Sequence, residues 1–186
     1  RDSSTSRGLG DVYKRQRLEK KYSLPAVLEN DVNCAALGEK WLGAGKGADG
    51  FVCLTIGTGI GGGIVLNGDI FRGDTCVAGE FGHIQIEKDG EQCLCGKKGC
   101  YERYASATAL VRMVKEKTGK ELNGKEIFEL EKSGNQDVKE VVDRWIDYFT
   151  DGLSTIVYIF NPSLVVIGGG CLLYTSPSPR DVEESR

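Results

Sequence analysis

The sequence has no apolar run approaching the roughly 20 residues that a helix needs to cross a bilayer, so no membrane-spanning helix is expected. It also has no basic excess. Against 27 Asp and Glu stand 24 Lys and Arg, a formal charge of -3, whereas binding to a phosphate backbone wants a clustered basic surface. Charge therefore argues against nucleic acid as a partner. Proline is scarce at 4 residues, and histidine occurs once. Glycine, by contrast, numbers 26 and gathers in short clusters instead of spreading as a linker. That pattern is expected where backbone approaches a ligand. With 40% hydrophobic and 27% charged residues, the composition is that of an ordinary soluble globular protein or a piece of one. No stretch reads as a secretory signal, and a cytoplasmic location is expected.

The single histidine, His83, precedes Cys93, Cys95 and Cys100 in the run CLCGKKGC. Three thiolates and one imidazole form a complete tetrahedral ligand set for zinc. Gly96 and Gly99 allow the tight turns of such a knuckle, and Lys97 and Lys98 offset its negative charge. The alternatives are a disulfide or unpaired core thiols. A Cys-x-Cys pair is too close to bridge to itself easily, and a cytosolic setting disfavours oxidation. Glu80 and Glu102 flank the block. Carboxylates beside a thiolate-rich structural zinc are usually not its ligands, and spacing alone makes both of them solvated surface charges.

The two ends stand apart from the middle. Residues 1–16 and 171–186 lack its hydrophobic periodicity, and Cys171 to Asp181 can be encoded by a DNA string whose reverse complement, read one base on, encodes Ser6 to Gln16. Two unrelated segments would hardly be inverted copies of one string. It resembles a transposon-type sequencing adapter, and both ends are expected to be non-native flanks.

Between them, Ala26 to Leu28 reads as a short strand and Asn33 to Leu42 as a helix, followed by a glycine-laced loop. Phe51 to Ile56 is a buried strand, and Gly63 to Leu66 resumes as strand after GTGIGGG. Asn67-Gly68 is a preferred hairpin dipeptide, so Asp69 to Arg72 continues an antiparallel meander, and Ile84 to Glu87 is another short strand. Ser106 caps a helix that ends before Gly119, and Lys125 to Lys132 forms a short helix. Val138, Val141, Val142, Trp145, Phe149, Leu153 and Ile156 mark one face of a long helix that Asn161-Pro162 stops. Leu164 to Ile167 is a buried strand running into Gly168, Gly169 and Gly170. This order is an α/β pattern.

GTGIGGG lacks the Lys-Ser/Thr of a P-loop, and a strand follows it where both the P-loop and the dinucleotide fold require a helix. A strand-turn-strand phosphate clamp is instead the device of actin-like and hexokinase-like ATPases. A plain glycine-rich hairpin turn is the alternative, and the Thr58 hydroxyl adds a donor that suits phosphate. Asp31 sits just before a helix, where it serves either as the N-cap or as a general base toward a sugar hydroxyl, with Asn30 holding a neighbouring hydroxyl.

Taken in order, LENDVNCAALGE, GTGIGGG, GEFGH, CLCGKKGCYE and NPSLVVIGGG resemble the ROK family (repressors, open reading frames and sugar kinases) along essentially all of Arg17 to Gly170. The resemblance implies an actin-like, hexokinase-like (ribonuclease H-like) α/β fold that is truncated. Residues 17–33 would close the N-terminal domain and form the hinge, and 34–170 would make part of the C-terminal domain. It further implies that Asn30, Asp31, Glu80, His83 and Glu102 bind the sugar and that Asp31 is the base. His83, Cys93, Cys95 and Cys100 match the ligands of a structural zinc, so that His83 serves both sites. Gly57, Thr58, Gly59, Gly61, Gly62, Gly168 and Gly169 fall to the nucleotide, ATP with Mg2+. The implied activity is ATP-dependent phosphorylation of a hexose, with glucose expected, in a homodimer. N-acetylmannosamine is the rival substrate. A sugar-responsive repressor, which alone would involve nucleic acid, is the rival function. The family's first phosphate loop, DxGGT, is absent from these residues, so the chain by itself is expected to lack useful kinase activity.

Overall fold

The computed structural model describes residues 9–170. Strand β1 (Phe51–Ile56) pairs antiparallel with β2 (Ile60–Leu66), which pairs antiparallel with β3 (Asp69–Ile70). After the helices, β4 (Val165–Gly168) returns parallel to β1, giving the sheet order β3-β2-β1-β4. The run FVCLTI is apolar at nearly every position because β1 is central and covered on both faces. Its Phe51 and Cys53 pack with Ala36, Val65 and Ile70 on one side. Val52 and Leu54 pack with Ile64, Phe81, Tyr101 and Ile156 on the other.

Helix α2 (Asp31–Leu42) lies directly on β2. The close approach depends on missing side chains: a Cβ at Gly61 would come to 2.5 Å from Val32 Cγ2, and one at Gly63 to 3.0 Å from the Ala36 Cβ. Gly62 points to the opposite face, where a Cβ would overlap the Phe81 ring and the Gly79 carbonyl. Successive glycines in a strand thus admit a neighbour on each face in turn.

Four further helices cover the other side: α3 (Glu102–Ala105), α4 (Ala107–Thr118), α5 (Gly124–Lys132) and α6 (Gln136–Phe160). Their ends follow local chemistry. Ser106 Oγ accepts from Ala109 N at 3.1 Å and Gly119 closes α4 with φ 71°. Asn123 and Glu126 form a capping box on α5. Asn135 caps α6, and Asn161 ends it in the left-handed region with Pro162 following. The apolar stripe of α6 builds one core with α4 and α5 through Val138, Val142 and Trp145. Trp145 Nε1 donates to Ser106 O at 3.0 Å, and the fully buried Tyr101 donates to Phe149 O at 2.7 Å. Helix α1 (Leu9–Tyr22) runs unbroken across the boundary at residues 16 and 17, with residues 12–18 all exposed. Among the described residues no helix is long and apolar enough to cross a membrane.

Several expected strands differ. Ala26 to Leu28 forms no strand, since Pro25 offers no N–H and Val27 is exposed without a neighbouring ladder. β2 starts at Ile60, so Gly61 and Gly62 lie within the strand, and β3 stops at Ile70 instead of Arg72. Ile84 to Glu87 contributes only the bridge between Gln85 and Cys100, because the adjoining loop turns back at once. β4 is half-buried, as suits an edge strand.

A Cβ at Gly152, inside α6, would overlap the Tyr101 ring. Gly152→Ala is therefore expected to destabilise the fold by about 2 kcal/mol through overpacking, against the gain of up to about 1 kcal/mol that Ala brings to an unobstructed helix. A lower urea midpoint at unchanged m-value is the expected readout, and a raised midpoint would contradict the packing.

Candidate metal and sugar site

His83 closes a short 3-10 turn, Phe81–His83, in which its N–H donates to Glu80 O at 3.1 Å. The cysteines come from the loop that follows. Cys93 N donates to Lys97 O at 2.8 Å and Gly96 N to Cys93 O at 3.1 Å, with Gly96 and Gly99 both at positive φ. This folding brings the ligand atoms of His83, Cys93, Cys95 and Cys100 within 4.8 Å of one another. Cys93 Sγ lies 3.7 Å from His83 Nδ1, and the Cys95 and Cys100 sulfurs are 3.5 Å apart. Bonds of about 2.1–2.3 Å to one tetrahedral ion would set neighbouring donors about 3.4–3.8 Å apart. The donor set and these two distances therefore fit a single borderline-soft metal ion, and the three thiols are free rather than disulfide-bonded. Burial pushes the Cys100 thiol up to about 12 and raises that of Cys93, whereas the Lys97 amide lowers that of Cys95. A bound cation would favour all three thiolates.

Glu102 stands at the start of α3, immediately after Cys100 and Tyr101. Its Oε1 accepts from Cys93 Sγ at 3.2 Å and lies 3.8 Å from His83 Nδ1. Its Oε2 faces the other way, 2.6 Å from where a Cβ on Gly59 would sit. Glu102 is thus wedged between the metal-capable cluster and the turn after β1, and its side chain is only 23% exposed. The reading as a solvated surface charge does not hold for this residue. Glu80 is exposed and opens the turn that carries His83.

Of the glycine-rich run, only Gly57, Thr58 and Gly59 form a turn. Gly57 N donates to Gly59 O, and Gly57 O accepts from Ala107 N at the start of α4, each at 3.0 Å. Gly168 ends β4 opposite Thr55, and Gly169 follows with φ 107° close against the Ile56 backbone. Both turns accordingly lie at the carboxyl ends of neighbouring parallel strands, where open α/β sheets bind ligands. Gly61 and Gly62 sit within β2 as packing positions, apart from this turn.

The cap of α2 is Asn30, not Asp31. Asn30 has extended backbone angles, and its Oδ1 accepts from Val32 N at 2.8 Å and Asn33 N at 3.2 Å. Asp31 is the first helical residue and is exposed. Since Val32 rests on Gly61, the Asn30-Asp31 turn is held at the end of β2 nearest the Gly57–Gly59 turn. Sequence reasoning missed what supports it. Glu29 Oε1 accepts from Asn30 N and Asn33 Nδ2, both at 2.9 Å, and Glu29 Oε2 accepts from Arg72 Nε at 2.7 Å. Asn33, a polar residue four positions on from Glu29 in an Ala-rich helix, is the signal that could have found this network. It is only 4% exposed.

A parallel β1-β4 pair ending in glycine turns, with an antiparallel β2-β3 extension, defines part of the actin-like, hexokinase-like ATPase fold. The sequence profile of the ROK family matches residues 11–177, and the chain belongs to that family. It is 38% identical over 167 residues to a glucokinase of Thermotoga maritima, covering 82% of this chain and 53% of that one. It is 34% identical over 157 residues to the xylose repressor of Bacillus subtilis, covering 84% and 41%. The crystal structure of a ROK family glucokinase from Streptomyces griseus in complex with glucose and AMPPNP superposes with TM-score 0.76 at 37% identity, covering 84% of this chain and 55% of that one. The chain thus spans about half the length of the relatives it matches.

Burial acts to raise the Glu29 carboxyl, but hydrogen bonds from Asn33, the Asn30 backbone and Arg72 outweigh it and hold the group at about 2, below its ordinary 4.5. A depressed value stabilises the fold fully above the unfolded value, and that contribution is lost as pH falls toward 2. Glu29→Gln is expected to cost about 2 kcal/mol at pH 7, with the gap to the native sequence shrinking between pH 5 and pH 2. Urea unfolding at pH 7 and pH 3 checks this, and a gap that widens in acid would contradict it.

Proposed function

We propose that this chain carries the sugar-binding wall and part of the nucleotide clamp of an ATP-dependent hexose kinase, acting on glucose, with Asp31 as general base. The observation that carries the reading is the position of Glu102, with one carboxylate oxygen toward His83 and Cys93 and the other toward the Gly57–Gly59 turn. A hexose lodged there would have Glu80 and Glu102 as acceptors for its hydroxyl array. His83 turns Nδ1 toward the cysteines, which leaves Nε2 for a hydroxyl. Asp31, at the first turn of α2, gains from the helix dipole as an anion and would accept the proton of the reacting hydroxyl, while Asn30 aligns its neighbour. Zinc, held by His83, Cys93, Cys95 and Cys100, would stiffen this wall without entering the chemistry. The Gly57–Gly59 turn, with the Thr58 hydroxyl, and the Gly168-Gly169 turn would face the phosphates of Mg-ATP, which supplies the phosphoryl group when bound.

Likeness to a glucokinase bound to glucose and AMPPNP supports this reading. Likeness to a xylose repressor supports a second one, sugar sensing without turnover. The ENDVN run and the glycine turn favour the kinase, because a repressor has no need of a base and a nucleotide clamp. Because DxGGT is absent here, turnover is expected only from the longer protein that carries this segment. In that protein, a coupled assay across glucose, N-acetylmannosamine and other hexoses should give turnover with glucose as the best substrate. Asp31→Ala should lower kcat by about 10²–10⁴-fold while hexose affinity falls much less. Unchanged turnover would remove Asp31 from the role. The chain should also purify with close to one zinc, and chelation should weaken hexose binding. A metal-free protein with full hexose affinity would exclude the zinc as support for the wall.

A further inference from the structure

We propose that Glu29 and Arg72 form a positioning clamp, which holds the Asn30-Asp31 turn in register with the loop that delivers Glu80 and His83. The inference rests on the kinase reading above and adds two residues that touch no reactant.

The two oxygens of Glu29 are divided between the two parts of the site. Oε1 takes Asn30 N and Asn33 Nδ2, both within the helix-entry motif, and Oε2 takes Arg72 Nε from the segment that follows β3. Arg72 is in turn placed at the neck of the next loop. Its guanidinium also donates to Ile70 O at 3.3 Å, and its own carbonyl accepts from Ala78 N at 3.0 Å, two residues before Glu80. One residue therefore ties the helix-entry motif through its side chain and closes the loop to Glu80 through its backbone. The motif end of the link is equally fixed. Asn33 is buried against β2, its Oδ1 3.6 Å from where a Cβ on Gly63 would sit. The Glu29 side chain is 12% exposed and that of Arg72 42%, so the pair is shielded on the carboxylate side and open to solvent on the guanidinium side. An acceptor for one sugar hydroxyl and a base for another must hold their spacing closely, since misplacement by about 1 Å can cost about 10²-fold in rate.

The test uses the full-length kinase with Arg72→Met, Arg72→Lys, Glu29→Gln and the Glu29→Gln/Arg72→Met double variant. KM is read separately for hexose and ATP, because KM does not depend on how much of a weakened variant is folded. Arg72→Met and Glu29→Gln are expected to raise the hexose KM about tenfold with the ATP KM unchanged. Arg72→Lys, which keeps one charged donor, should stay within about threefold of the native value, and the double variant should be no worse than Glu29→Gln, as for residues acting as one unit. An active native enzyme whose variants keep the native hexose KM overturns the clamp and leaves the kinase reading intact. If the native protein binds hexose without turning it over, the kinase reading falls and the clamp is judged by the same tenfold shift in hexose Kd. A native protein with neither activity nor hexose affinity overturns both.

Discussion

The arrangement of this site depends on three consecutive glycines inside a strand. Gly61, Gly62 and Gly63 present no side chain to either face of β2, so one backbone serves as the bed for two different elements. On one face Val32 and Ala36 bring α2 down, and with it Asn30 and Asp31. On the other face Phe81 packs against Gly62 and brings the turn that carries Glu80 and His83. Larger residues at these positions would push both elements outward and separate the groups proposed to meet at the sugar. A run that reads as a single phosphate loop is therefore divided: its first three residues form the turn, and the rest position the walls.

A second constraint acts along the chain. His83 lies before the knuckle and Glu102 just after it, and the cysteines between them fold the loop so that the two meet. A metal ion bound there would be a cross-link between segments that make little regular secondary structure of their own. The loop has no regular strand or helix of its own and is held by two isolated bridges and scattered backbone hydrogen bonds, so fixing a carboxylate beside an imidazole calls for added rigidity. Ligand bonds would supply that rigidity, while α3 and the fully buried Tyr101 anchor Glu102 from the core side.

Much of this was legible in the sequence. The cysteines and the one histidine declare themselves by residue type, the helix ends by Ser106, Gly119 and Asn161, and the β1-β2-β3 meander by Asn67-Gly68. The division of GTGIGGG was not, because glycine carries no periodicity and a strand of glycines looks like a loop. The cap of α2 fell to Asn30 because Asn and Asp cap equally well and only backbone angles tell them apart. The partnership of Glu29 and Arg72 was beyond reach. It joins positions 43 residues apart through side chains that each read as ordinary surface charges. The lodging of Glu102 against Cys93 likewise depends on how the loop folds, which spacing alone does not convey.

The most direct test is a crystal structure of the full-length protein with glucose and a non-hydrolysable ATP analogue. Zinc is expected on His83 Nδ1 and the three cysteines. The sugar is expected between Asp31 on one side and Glu102 and His83 Nε2 on the other, with an Asp31 oxygen within about 3.2 Å of the hydroxyl that faces the γ-phosphate. A hexose bound elsewhere, or an Asp31 carboxylate turned away from the sugar into solvent, would contradict it.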